Sequence, residues 1–258
     1  MAKTWTSDEL LVVLGLYCQL PFGQFHSRNP LVQQVATHLQ RTPGSVAMKL
    51  SNLASLDPII TGSGRKGLQG ASALDREVWN AFSTDSLSML PLAEQALQLA
   101  LESSKQTTMH EAENVAAYQE DDHFANVKVR KGQKLFRDAV LTAYENRCCV
   151  TGVAEPRFLV ASHIRPWRQD PENRLNPRNG LCLSLMIDKA FDLGLITFSE
   201  DYRLVLSAEL KQHEKNPHIA ETFFTRMGQP ITLPSKFTPD QRFLAWHRES
   251  YFVGNPLR

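Results

Sequence analysis

The sequence predicts an α+β protein, in which an amino-terminal helical bundle precedes a domain built from two strands and a helix. Apolar residues recur at helical spacing in three short runs within the first 60 residues. Further along the chain, two strand-like runs flank a loop rich in Arg, Pro, Asp and Asn, and a helical pattern follows the second run. We therefore expect a trihelical module at 1–60, a helical spacer with an acidic linker at 61–126, and a second domain at 127–258.

The amino-terminal module begins with a helical pattern at 7–20, which Pro21 and Gly23 end. A second pattern opens at Asn29-Pro30, and a third opens at Ser45, after the tight turn 41–44. Short helices with a tight turn before the third are typical of a helix-turn-helix, whose recognition helix enters a DNA major groove.

Two features make this module resemble a Myb or SANT-type trihelical domain. They are the opening Trp5-Thr6 and the run RTPGSVAMKL at the third helix. The resemblance implies DNA binding, for which Arg41, Ser45 and Lys49 are the exposed candidates. The same helices also fit a protein-contact or dimerisation module, and the sequence leaves both interpretations open.

The charge of the chain is unevenly distributed. Residues 71–126 carry 2 basic and 10 acidic side chains, and within them 75–103 has a helical pattern. The glycine-rich stretch 61–67 predicts a loop, and the polar stretch 103–123 predicts an interdomain linker because it lacks an apolar pattern. Residues 127–258 carry 20 basic and 14 acidic side chains, an excess that suits a polyanionic partner.

Several classes of protein are disfavoured by the sequence. It contains no apolar run of the roughly 18 residues that a membrane span needs, and its start lacks a signal-peptide core, so we expect a cytoplasmic protein without a membrane partner. It contains no P-loop or dinucleotide fingerprint, so we expect no nucleotide cofactor. The cysteines lack C-x-x-C spacing, which disfavours structural zinc, and we expect them to be reduced and buried: Cys18, Cys148, Cys149 and Cys182.

The segment at 147–198 carries residues suited to phosphodiester hydrolysis. A strand-like run at 157–162 leads to His163, and Asn179-Gly180 turns into a second run at 181–183. The helix that follows carries Asp188 and Asp192, whose i, i+4 spacing places both carboxylates on one face. Hydrolysis needs a base, which histidine provides near neutral pH, and a cation, for which carboxylates are good ligands.

The pieces RCCVTG, ASHIRPW, RLNPRNGLCLS and DKAFDLGLITF, in this order, make 148–198 resemble an HNH endonuclease domain of the ββα-metal type. The wider chain is similar to two-part HNH nucleases of restriction or phage defence. The resemblance implies that His163 is the general base, that Asn179 is an orienting residue, and that Asp188 binds a divalent metal, Mg²⁺ or alternatively Mn²⁺. DNA is then the expected partner, and a homodimer is one way for such an enzyme to cut both strands.

Two positions depart from the HNH pattern. Many relatives have a histidine where Ile187 stands, and the pattern often has an aspartate ligand where this chain has Ser162. Asp192 is a second candidate metal ligand, or a structural acceptor in the turn before Gly194. These departures leave open a catalytically degenerate, HNH-like DNA-binding or regulatory protein, and nothing in the sequence excludes an RNA-directed nuclease.

Basic residues in and before the loop are candidate contacts for DNA phosphates. Together with one lysine from the amino-terminal module, they are Arg165, Arg168, Arg174, Arg178, Lys131 and Lys49. We expect Trp167 to pack within the loop. We also expect His247, in a closing helix predicted over 239–251, to contact the core.

Overall fold

The computed structural model describes residues 4–62, 70–105 and 121–253. The chain divides into two compact units, Met1–Ala139 and Val140–Arg258, and the boundary falls within one long helix. The loop expected at 61–67 and the linker expected at 103–123 lie largely outside the described residues. Of the helices described, none is both long and apolar enough to cross a membrane.

The amino-terminal unit is helical, as its apolar spacing predicts. Its helices are α1 (Ser7–Gln19), α2 (Pro30–His38), α3 (Pro43–Leu56), α4 (Pro58–Gly62), α5 (Ala73–Thr84) and α6 (Ser86–Lys105). At the start of α1, Thr6 Oγ1 accepts a hydrogen bond from Glu9 N, and Glu9 accepts one from Thr6 N, which satisfies two amides of the first turn. α1 lies so close to α6 that a Cβ on Gly15 would be 2.5 Å from the carbonyl oxygen of Ala93.

Lys49 and Arg41, which we expected to be exposed for DNA contact, are instead held in ion pairs. Lys49 Nζ lies 2.7 Å from Asp75 Oδ1, and both residues are buried. Arg41 Nη2 lies 2.7 Å from Glu9 Oε2. α3 packs against α1, α2 and α5, so the side of α3 that carries Lys49 faces a carboxylate and not solvent. The expected exposure of the two residues is therefore wrong.

We expect Lys49→Met to lower the free energy of unfolding by about 3 kcal/mol, because it leaves the buried Asp75 carboxylate without its cationic partner. Arg76→Met is a matched control in α5, since Arg76 is exposed, and it should change the value by less than about 0.5 kcal/mol. Chemical denaturation measures both. Equal unfolding energies for the two variants would show that the buried ion pair does not stabilise the unit.

The carboxyl-terminal unit contains two small hairpins. α7 (Asp121–Ala143), which spans the unit boundary, begins earlier than the 135–146 helix predicted from apolar spacing. Lysine and arginine, which recur before residue 135, are good helix formers. β1 (Leu159–His163) pairs antiparallel with β2 (Gly180–Ser184), and α8 (Leu185–Asp192) follows directly. The remaining elements are β3 (Ile196–Phe198), β4 (Leu204–Leu206), α9 (Ala208–Lys211), α10 (Pro217–Phe223) and α11 (Gln241–Ser250).

Apolar side chains from both hairpins and from α8 and α11 form the core of this unit, including Leu159, Leu181, Leu183, Phe191, Ile196, Phe198, Leu204 and Leu244. The four cysteines are free and buried, as expected. Helices in the first unit and a strand–strand–helix motif in the second confirm the predicted α+β class.

Candidate functional site

The antiparallel register brings the polar residues of the two strands together. His163 ends β1 directly opposite Gly180, the first residue of β2. A further backbone bond joins Ile164 N to Asn179 O at 3.0 Å. α8 follows β2 directly and packs against both strands. The hairpin therefore brings His163 and Asn179 close together, although they are distant in sequence.

The imidazole of His163 is held in one tautomer. Its Nε2 lies 2.8 Å from the carbonyl oxygen of Arg174, which only accepts hydrogen bonds, so Nε2 carries the proton and donates. The lone pair of the neutral ring is then on Nδ1, the atom that can take up a proton. Burial lowers the pKa of His163, against opposing contributions from the Arg174 carbonyl and the charge of Asp188. The ring is therefore neutral at pH 7.

Asn179 is fully buried, and its side chain binds the backbone of the loop that follows His163. Its Oδ1 accepts a hydrogen bond from Arg165 N at 2.8 Å. Its Nδ2 donates to the carbonyl oxygens of Arg165 and Asn173, both at 3.2 Å. Because Asn173 precedes Arg174, the amide fixes the turn whose carbonyl orients the His163 ring. Asn179 therefore acts on His163 through the loop backbone.

We expect Asn179→Ala to lower the free energy of unfolding by about 3 kcal/mol, because it leaves buried backbone groups of the loop without partners. Asn176→Ala is the comparison: Asn176 is half-buried and also binds the loop, through Arg178 N and Asn173 Oδ1. Asn176→Ala should lower the free energy of unfolding by about 1 kcal/mol. Thermal and chemical denaturation measure the difference, and a smaller loss for Asn179→Ala than for Asn176→Ala would contradict the assignment.

α8 carries the two predicted carboxylates beside His163. Asp188 is half-buried, and its carboxylate forms no hydrogen bond or ion pair with a side chain or backbone group of the described residues. Asp192 is exposed. Partial desolvation of its carboxyl group and the negative charge of Asp188 raise its pKa, whereas the positive charge of Lys189 lowers it. The negative charge of Asp188 raises the pKa of both His163 and Asp192, so the two carboxylates of α8 form a cluster of like charge.

The donor set of this cluster fits a hard divalent cation that is bound mainly through carboxylates. Two carboxylates that repel each other are stabilised when a cation lies between them. Among residues 4–62, 70–105 and 121–253, no three His, Cys, Asp or Glu side chains converge to hold a metal. A cation at Asp188 and Asp192 would therefore need water and substrate phosphate as further ligands, which is a common arrangement for Mg²⁺.

The two positions that depart from the HNH pattern are both buried. Ile187 is fully buried in the core. Ser162 is 3% exposed, and its hydroxyl oxygen has no hydrogen-bond partner in the described part of the chain. Neither side chain supplies a metal ligand, which leaves Asp188 and Asp192 as the candidates.

Two of the predicted DNA-binding arginines organise the loop. Arg165 Nη1 lies 3.1 Å from Asp170 Oδ2. Arg174 Nε donates to the carbonyl oxygen of Trp167 at 2.7 Å. Trp167 packs edge-on against His163, with ring centroids 5.5 Å apart, as its expected packing role requires. Arg165 and Arg174 therefore stabilise the conformation of the loop next to His163.

The other predicted basic contacts differ in accessibility. Arg168 is exposed and forms no hydrogen bond or ion pair with a described residue. Arg178 is half-buried, and its carbonyl oxygen accepts a bond from Asp240 N at 3.0 Å. Lys131 lies on α7, but its side chain is outside the described residues. Arg168 is thus the loop arginine most accessible to a phosphate, whereas Lys49 is buried in the other unit.

Two contacts that hold the loop in place were not predicted from the sequence. The carbonyl oxygen of Arg174 sets the His163 tautomer, and no residue pattern reports the direction of a backbone carbonyl. Asp170 accepts from Asn173 Nδ2 with both carboxylate oxygens, at 2.9 and 3.0 Å. The contact of Asp170 with Asn173 could have been predicted from the sequence Asp-Pro-Glu-Asn, because aspartate commonly caps a turn that begins with proline.

Comparison with known proteins agrees with the resemblance read from the motifs. The family model for HNH endonucleases matches residues 148–199. A solved structure described as a modification-dependent TagI restriction endonuclease is similar to this chain, with 20% identity and a TM-score of 0.37. That similarity covers 48% of this chain and 39% of the other, so the chain spans about two fifths of that protein's length. A search of curated proteins gives no match.

Proposed function

We propose that this protein is a metal-dependent DNA endonuclease that hydrolyses phosphodiester bonds. The observation that carries the proposal lies within the HNH-matching segment 148–199. There, His163 is held as the Nε2–H tautomer beside the carboxylate of Asp188. A neutral histidine and paired carboxylates are the groups that phosphodiester hydrolysis uses as a base and as cation ligands.

In the proposed reaction, His163 Nδ1 removes the proton from the attacking water. The Arg174 carbonyl keeps the ring oriented and, as the acceptor of the Nε2–H bond, stabilises the imidazolium that forms. Asn179 keeps the loop in position through Arg165 and Asn173. Asp188 and Asp192 would hold a divalent cation, Mg²⁺ or Mn²⁺, whose positive charge would stabilise the phosphate and its leaving oxygen.

We expect Arg168→Ala to weaken DNA binding because Arg168 is exposed in the loop beside His163. Loss of one phosphate contact should reduce the slope of log K against log salt concentration by about 1. Fluorescence anisotropy of a labelled duplex across a salt series measures that slope. Arg157→Ala is the control, since Arg157 is exposed but paired with Glu155 at 2.7 Å. An unchanged slope in Arg168→Ala would remove this residue from the DNA interface.

A second candidate function is a DNA-binding or regulatory protein with an HNH-like domain and no turnover, because Ile187 and Ser162 stand where the HNH pattern often has histidine and aspartate. Such a protein would bind DNA and leave it intact. For the nuclease, cutting both strands requires two sites, which a homodimer would supply, or two successive cuts by one site. The proposed role in restriction or phage defence is inferred from the family resemblance alone.

Cleavage of labelled DNA and RNA of the same sequence tests the proposed function. Native protein is incubated with each substrate in Mg²⁺, in Mn²⁺ and in chelator, and products are separated on a denaturing gel. We expect DNA to be cut with metal and to remain intact in chelator, while RNA remains intact. Cutting of RNA alone would overturn the DNA assignment, and equal cutting in chelator would overturn the metal dependence.

A further inference from the structure

The closing helix α11 contacts both parts of the candidate site, although it lies outside the segment that matches the HNH family. On the side of the loop, the Arg165 guanidinium lies over the Trp246 ring, 5.1 Å from its centroid. Gln169 Nε2 donates to Tyr251 Oη, just beyond the end of α11, at 3.5 Å. The helix also reaches the end of α8 through a different residue, His247.

His247 is 1% exposed and connects α11 to α8 and β3. Its Nε2 lies 3.1 Å from the carbonyl oxygen of Phe191, so Nε2 carries the proton and donates. Its Nδ1, which then holds the lone pair, accepts from Thr197 Oγ1 at 2.9 Å. The imidazole also stacks on the Phe191 ring, with centroids 3.8 Å apart and planes at 5°. Contacts to both ring nitrogens and to one ring face therefore fix the orientation of the His247 imidazole.

The end of α8 needs such support because the helix has 8 residues. A helix this short is not stable by itself, and the carbonyl groups of its last turn lack partners within the helix. The Phe191 carbonyl belongs to that last turn and directly precedes Asp192. It also accepts a hydrogen bond from Gly194 N at 2.9 Å, so His247 adds a second bond to it. The hydrogen bond from His247 therefore lies next to Asp192, one candidate metal ligand, and about one helical turn from Asp188, the other.

The turn after α8 is closed by the chain just beyond α11. Val253 N donates to the carbonyl oxygen of Gly194 at 2.9 Å. Gly194 has a φ of +68°, and a Cβ there would lie 2.2 Å from the carbonyl oxygen of Tyr251. Tyr251 N and Phe252 N in turn donate to the carbonyl oxygen of His247, at 3.0 and 2.9 Å. The same short segment thus holds the helix end and the turn that follows it.

We infer that His247 is a positioning residue of the proposed nuclease site, which fixes the end of α8 and so holds the carboxylates of Asp188 and Asp192 beside His163. This inference rests on the proposed function for its catalytic consequence. Its structural part, the restraint of α8 by His247, stands separately, because it depends only on the contacts of Phe191, Thr197 and Gly194.

The test compares His247→Phe, which keeps a ring for stacking and removes both hydrogen bonds, with His247→Gln, whose amide can still donate to the Phe191 carbonyl. Hydrogen–deuterium exchange is measured for peptides covering α8 and, as an internal control, β1. In His247→Phe we expect exchange in α8 to rise by about 10-fold, the loss of about one hydrogen bond, with β1 unchanged. His247→Gln should restore most of the protection.

Steady-state cleavage of DNA gives the second readout. We expect His247→Phe to lower kcat by about 10-fold or more with little change in KM, and His247→Gln to recover most of kcat. Unchanged exchange in α8, or a rise spread equally over β1 and α8, would overturn the inference. If native protein cuts no DNA, the proposed function fails, and the exchange data alone then decide whether His247 restrains α8.

Discussion

Replacement of His163 with alanine should lower the rate of DNA cleavage by about 10³-fold while leaving DNA binding within about twofold of native. The reason is that Nδ1 holds the lone pair, since Nε2 donates to the Arg174 carbonyl. No water can be deprotonated at that position once the ring is removed. Single-turnover cleavage and anisotropy with the same duplex measure the two quantities separately. His218→Ala is the control, because His218 is exposed on α10.

The pH dependence of cleavage gives a further check on His163. The base acts in its neutral form, and burial lowers its pKa below the usual 6.5. The rate should therefore stay level as pH falls from 8 to about 6.5 and decline only below that, as the folded ring becomes protonated. A decline centred above pH 6.5 in native protein, or an activity in His163→Ala close to native, would show that His163 is not the base.

Replacement of Asp188 with asparagine has the second largest expected effect, a loss of cleavage of about 10²- to 10³-fold at saturating Mg²⁺. Asp188 is half-buried, and its negative charge raises the pKa of both His163 and Asp192. Asparagine keeps the size of the side chain and removes the negative charge that a cation needs. Cleavage rates across a series of Mg²⁺ and Mn²⁺ concentrations measure the effect.

Two comparison variants separate metal binding from general damage to α8. Asp192→Asn should lose less activity, about 10-fold, and should recover part of it at high metal concentration, because Asp192 is the more exposed of the two carboxylates. Asp201→Asn, at an exposed position outside α8, should behave as native. Losses in Asp192→Asn that exceed those in Asp188→Asn would reverse the assignment of the principal ligand.

The helices and strands were predictable because their signals are local. Apolar spacing and capping residues gave α1, α2 and α3, and the strand-like runs around the Asn179-Gly180 turn gave the β1–β2 hairpin. The helical pattern at 75–103 did not show the break between α5 and α6, and α4 was not predicted. The placement of His163 next to Asn179 follows from the same hairpin register. Spacing also gave the shared face of Asp188 and Asp192, since helical geometry fixes it.

The partners of individual polar groups were not predictable, because they depend on tertiary contacts. Lys49 looked like an exposed basic residue on a recognition helix, yet its partner Asp75 is 26 residues away in sequence. The bond from His163 to the Arg174 carbonyl depends on how the whole loop folds. His247 was expected to contact the core, and it does, but its bond to Phe191 joins residues 56 positions apart.

The most direct test of the central claim is cleavage of a supercoiled plasmid by the native protein, with DNA binding measured in the same buffers. Magnesium, manganese and chelator are compared at one protein concentration, with His163→Ala and Asp188→Asn alongside. We expect nicked or linear plasmid only with metal and only with the native protein, while all three proteins bind DNA. Native protein that binds the plasmid and never cuts it with either metal would contradict the account, and would identify the HNH-like domain as a binding module.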